Sequence, residues 1–144
     1  MSFQKLILPD SNFWINAFSG KSHYLKDVKR AATVGYSVII TTHIFNEVDR
    51  KVPNGKEKLM QYCIELNKKC SEIKILKDQK EIIKLAEEME SRFTGCHYPD
   101  NRILATAMYT TAILITSDRN LLKAADFEGV QSCTPGNFVR YAGC

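Results

Sequence analysis

The feature that most constrains the fold is a rhythm. Short apolar runs recur along the chain, each followed by a stretch long and amphipathic enough to be a helix. KLIL (5–8), SVIIT (37–41), EIKIL (72–76), AILIT (112–116) and VQSC (130–133) have the length and apolar content of strands. Between them, spans 12–19, 22–34, 43–52, 56–69, 79–93, 99–110 and 119–127 read as helices, and PGNFVRYA follows as a last helix with Pro135 near its start. Alternation of this kind makes βαβ units. The near-continuous apolar character of SVII and AILI suits strands covered on both faces, so the expected fold is α/β, a three-layer α/β/α sandwich around a mainly parallel central sheet. The alternating EIKIL suits an edge strand with one wet face.

With 144 residues and no repeat, low-complexity tract or Pro/Gly-rich linker, residues 1–144 are expected to form one domain. No apolar run approaches the length of a membrane span, and the opening MSFQKLILPD lacks the parts of a signal peptide, so a cytoplasmic protein is expected. The five cysteines (63, 70, 96, 133 and 144) show no CxxC spacing, which argues against a disulfide framework or a zinc ribbon and for small buried hydrophobes. The net charge of +4 is a mild excess. Its clusters (Lys21, Lys26, Lys29 and Arg30; Arg50, Lys51, Lys56 and Lys58) are compatible with a polyanionic partner without demanding one.

Open α/β sheets bind ligands beyond the carboxyl ends of their strands, and that is where several acids fall. Asp10 ends the first strand, Asp118 follows the fourth, and Glu47 lies in the early turns of the helix after the second. Asp100 heads the helix in HYPDNRILATAM (97–108), and the break TGCHYP before it is expected to return it to the same edge. Each acid alone has an ordinary reading as a turn residue, a solvated helix residue or a cap. Together they are better explained by chemistry. Converging carboxylates repel unless neutralised, and hard divalent cations with oxygen ligands do this while activating water for phosphoryl displacement. At least one of these acids is expected to have a raised pKa in the metal-free protein.

At these residues the sequence resembles the PIN-domain ribonucleases. LILPDSNFWINAF looks like the family's strand followed by an Asp-hydroxyl-Asn start; Glu47 in THIFNEV, Asp100 in PDNRILATAM and Asp118 in TSDRNLLKAADFEGV supply the remaining acids in order. The wording DNRIL with TSDRNLLKAADFEGV is similar to the PIN domains of PhoH-associated and RNA-decay proteins more than to VapC-type toxins. Pro9 departs from the family's usual aliphatic residue before the first acid. The resemblance implies Mg²⁺- or Mn²⁺-dependent hydrolysis of phosphodiester bonds in RNA, single-stranded above all. Asp10, Glu47, Asp100 and Asp118 would hold the metals, with Asn12, Thr116 and Ser117 orienting carboxylates or water. Two roles fit: a nuclease of RNA processing or decay, or a toxin, often a homodimer, held by a protein antitoxin. A non-catalytic PIN-fold module that binds RNA or protein within a larger assembly is the rival from another class.

Other residues carry weaker signals. Arg102 and Arg119 follow two of the acids and are candidates for phosphate contacts. Phe13, Trp14 and Phe18 read as packing ahead of base stacking, and His23, His43 and His97 as satisfied or solvent-facing. Asp126 reads as a solvated helix residue. Gly20-Lys21-Ser22 mimics the end of a P-loop, but Ile15 stands where its first glycine belongs. A haloacid-dehalogenase-like phosphatase would need an aspartate where Asn12 stands.

Overall fold

A computed structural model describes residues 5–69, 72–77, 79–92 and 96–142. The strands are β1 (Lys5–Pro9), β2 (Tyr36–Thr41), β3 (Ile73–Leu76), β4 (Ile113–Ile115) and β5 (Ser132–Cys133). The helices are α1 (Ser11–Ser19), α2 (His23–Thr33), α3 (Thr42–Lys51), α4 (Gly55–Lys69), α5 (Lys80–Arg92), α6 (Asp100–Thr110), α7 (Arg119–Glu128) and α8 (Pro135–Ala142). Every adjacent strand pair is parallel, in the order β3-β2-β1-β4-β5. This is the expected α/β/α sandwich. Among the described residues no helix is long and apolar enough to cross a membrane.

Burial explains the order. Every residue of β2 is buried, and β1 and β4 are buried over their last two residues, as central parallel strands require. On β3 only Ile73 is buried; Lys74 and Leu76 are partly covered and Ile75 is exposed, as the strand at the edge of the sheet allows. The helices fall into two packed groups. Helices α1, α2, α3 and α4 contact one another and α8 rests on α2, while α6 packs against both α5 and α7. Phe13 and Trp14 are buried between these elements, with Phe13 stacked on Tyr24 and Trp14 edge-on to Tyr62, so both aromatic rings serve packing.

The chain leaves β1 toward β2 and β3, then crosses back to β4 on the other side of β1. That reversal opens a crevice at the carboxyl ends of β1 and β4. Three strands turn directly into helices at this edge, and each turn is made by an N-cap. Asp10 accepts the Phe13 N–H at 2.9 Å, Thr41 accepts the Ile44 N–H at 3.3 Å, and Asp118 accepts the N–H groups of Asn120 and Leu121 at 2.8 and 3.2 Å. The positive ends of α1, α3 and α7 therefore face the same crevice.

The first strand runs one residue past KLIL: Pro9 stands opposite Ile115, and the Asp10 N–H extends the ladder to the Ile115 carbonyl at 3.0 Å. The TGCHYP break lies partly outside the described residues, and Asp100 reaches the carboxyl edge for a reason independent of it. Helix α6 feeds β4 through Thr111 and Ala112, so it runs against the strands and starts at their far end.

Candidate active site

Asp10 is the buried centre of the crevice, with only 5% of its surface exposed. Its Oδ1 accepts the Phe13 N–H, and its Oδ2 accepts the hydroxyl of the fully buried Thr116 at 2.5 Å. The Thr116 oxygen also accepts the Asp118 N–H at 3.0 Å, so one hydroxyl ties the end of β1 to the turn after β4. Asp118 directs both capping bonds to Oδ1, which leaves Oδ2 as the oxygen that can turn to a cation.

Asp100 is half-buried at the start of α6 and caps nothing; the N-cap position there is Pro99. What it contributes is charge. Burial raises the Asp10 carboxyl to about 6 against the opposing hydrogen bonds from Thr116 and Phe13, and the charges of Asp100 and Asp118 push it the same way. Asp100 is itself raised, by burial first and then by Asp118. The three aspartates thus share one electrostatic neighbourhood although they come from three distant parts of the chain. Raised acids were expected from mutual repulsion; burial is the larger cause.

Glu47 is placed differently. It projects from the second turn of α3 into the adjoining groove and is held by the guanidinium of Arg50, one turn further along the same helix. Among the described residues no three acidic, cysteine or histidine side chains converge tightly enough to form a ready-made metal cage. The donor chemistry nevertheless suits a hard dication. It consists of carboxylate oxygens, with a buried Asp10 whose ionisation is opposed by two neighbouring negative charges, a cost that a cation removes.

The remaining sequence candidates surround this core. Asn12 is exposed in the first turn of α1 and Ser117 just before Asp118, while Thr116 is the buried bridge already described. Arg119 is exposed at the first position of α7. Arg102 lies over the ring of Tyr98, with its guanidinium 5.0 Å from the centroid. Cys96 is buried behind Asp100, and burial pushes its thiol up to about 11, with the surrounding acids adding to the effect, so it is a neutral packing group. His97 bonds to Glu90 at 3.2 Å.

The groove's own wall is not marked as such by any of the sequence motifs. A cavity of about 540 Å³ runs from Ser11, the neighbour of Asp10, to Pro99, the neighbour of Asp100, with His43, Glu47, Arg50 and Tyr98 along it. The available signals were local: an aromatic residue two places before Asp100, and an arginine three after Glu47.

A fold with a topological switch point lined by aspartates defines a class of α/β proteins that act at the carboxyl edge of the sheet. Within that class, the family model described as "PIN domain" matches residues 7–127, and the chain belongs to that family. Solved structures agree in fold. VapBC2 from Rickettsia felis bound to a DNA fragment of its promoter gives a TM-score of 0.67 at 12% identity, covering 90% of this chain and 98% of that one. VapBC-1 from nontypeable Haemophilus influenzae gives 0.65 at 14%, covering 91% and 98%. A Pyrobaculum aerophilum structure gives 0.54 at 13%, covering 96% and 88%. No curated protein matches the sequence.

Proposed function

We propose that this chain is a metal-dependent ribonuclease that hydrolyses phosphodiester bonds of single-stranded RNA, with Mg²⁺ or Mn²⁺ held by Asp10, Asp100 and Asp118 and joined by Glu47. The observation that carries the reading is the meeting of three aspartates at the switch point, where burial raises the Asp10 carboxyl to about 6 and the charges of Asp100 and Asp118 push it the same way. When bound, a divalent cation supplies charge neutralisation at the phosphate and a more acidic water. The chain's own groups do the rest. Phe13 N–H and Thr116 Oγ1 fix the Asp10 carboxylate, and the Asn120 and Leu121 amides fix that of Asp118. A carboxylate oxygen has lone pairs beyond the one each hydrogen bond uses, so fixing it does not disable it as a ligand. Arg102 and Arg119 stand beside the acids as phosphate contacts.

Membership of the PIN family and a fold shared with two VapBC structures support a protein antitoxin as a partner, alongside the role in RNA processing or decay. The ion pair that occupies Glu47 favours a second reading, a non-catalytic module that keeps the fold. Incubation of an unstructured RNA with Mn²⁺ separates the two. The wild-type protein is expected to cut it and EDTA to stop the cutting. Asp118→Asn keeps the helix cap but is expected to lose more than about 100-fold, beyond what supporting residues around a metal usually cost. Equal cutting by that variant, or none by the wild type, overturns the reading.

A further inference from the structure

We propose that Tyr98 is a stacking platform for one nucleobase of the RNA, seated in the groove so that the neighbouring phosphate reaches the aspartates. The proposal deepens the ribonuclease reading and rests on it.

Tyr98 is unusual among the aromatic residues near the site. Phe13 and Trp14 are buried, whereas Tyr98 keeps 58% of its surface exposed and lies in the groove between Ser11 and Pro99, whose chain neighbours are Asp10 and Asp100. It is exposed but held. Its hydroxyl is 3.3 Å from Nδ1 of His43 on α3, the two rings are nearly perpendicular at 5.4 Å, and the Arg102 guanidinium of α6 lies over the ring. Contacts from two separate helices fix a ring that contributes little to the core, which is the preorganisation a binding platform needs.

Its surroundings select the ligand. A flat aromatic face backed by an arginine is the surface on which unpaired bases stack, because every base has a π-face and both the ring and the guanidinium plane accept one. Arg50, with a side chain 73% exposed, lines the same groove and offers charge to a phosphate backbone, while Ser11 and Pro99 of its lining adjoin Asp10 and Asp100 in the chain, acids that suit a phosphate only with a dication between. A base inside a duplex cannot reach Tyr98 without leaving its stack. The platform therefore discriminates in favour of single strands.

The test is binding of a labelled six-nucleotide RNA to the Asp118→Asn protein in Mg²⁺, read by fluorescence anisotropy. Adding Tyr98→Ala is expected to weaken binding about 5- to 150-fold, the range for loss of one stacked base. Tyr98→Trp keeps a ring and should bind within a few-fold of the parent; Tyr98→Leu keeps the bulk and should fail as Tyr98→Ala does. An RNA with an abasic position where the ring stacks should bind the parent and the Tyr98→Ala variant alike, a result no merely structural role produces. If Tyr98→Ala and Tyr98→Leu bind like the parent, the proposal is overturned while the ribonuclease reading stands, and the patch is left as a protein contact. A loss unaffected by abasic substitution at every position also overturns it. Failure of the Asp118→Asn parent to bind RNA, with no cutting by the wild type, removes both.

Discussion

The hydroxyl of Thr116 donates at 2.5 Å to Oδ2 of Asp10, 106 residues away in the chain, while its oxygen accepts the N–H of Asp118, joining two carboxylate-bearing turns. Its bond to Asp10 sits where water has little access, since Thr116 is fully buried and Asp10 nearly so. The bridge fixes the spacing of two acids without using either one up.

Removing that hydroxyl should be costly. Thr116→Val keeps the shape but strips a donor from Asp10 and an acceptor from the Asp118 N–H, and is expected to destabilise the protein by about 1–3 kcal/mol, the penalty for leaving buried polar groups unmet. Thr116→Ser should recover most of it. Chemical denaturation at pH 7 measures both variants; equal stability of Thr116→Val and wild type would contradict the role given to the bridge.

Asp10 predicts a pH dependence of definite sign. Its folded pKa, raised to about 6, lies above the ordinary value of 3.8, so the folded state holds this proton more tightly than the unfolded chain. The resulting stability is fully present below about pH 4 and is lost as the pH climbs through 6, a change of about 3 kcal/mol for a shift of this size. Metal-free Asp10→Asn should therefore be more stable than wild type at pH 7, with the gap closing toward pH 4. Denaturation curves at the two pH values check this; a gap that is constant or widens on acidification would refute the sign.

Glu47 and Arg50 form an exposed pair one helical turn apart, and such pairs are worth about 0.2–1 kcal/mol. If Glu47 must leave Arg50 to join the cation, Arg50→Ala should tighten Mn²⁺ binding by a factor of about 1.5 to 5 through its release. A double-mutant cycle with Glu47→Gln isolates this term, because the bare loss of a positive charge acts in both backgrounds. The same gain with and without Glu47 would show that the pair does not restrain the ligand.

Much of this architecture is legible in the residues, and the remainder fails to be so for physical reasons. The edge position expected of EIKIL is where β3 lies, but its period-two reason fails, since Ile73 is buried while Ile75 on the same face is exposed. The ordinary reading of Asp118 as a helix cap is correct, that of Asp100 as a cap is not, and Asp10, which reads as a turn acid, caps α1 as well; Asp10 and Asp118 carry charge into the crevice besides. The direction of Glu47 is a matter of rotamer and of an arginine that competes for it, neither of which spacing reveals. Tyr98 was invisible for a related reason, since an aromatic residue before a proline reads as a loop until His43 and Arg102, from two helices, are seen to hold it.

The claim on which the account stands is that Asp10, Asp100 and Asp118 together accept one divalent cation. Calorimetric titration of Mn²⁺ into the metal-free protein at pH 7 addresses it directly. The account predicts saturable binding by the wild type, weakened at least about tenfold in each of Asp10→Asn, Asp100→Asn and Asp118→Asn, the lower end of the loss seen for residues that only support a metal ligand. Absence of binding by the wild type, or an affinity that the three substitutions leave unchanged, would contradict it.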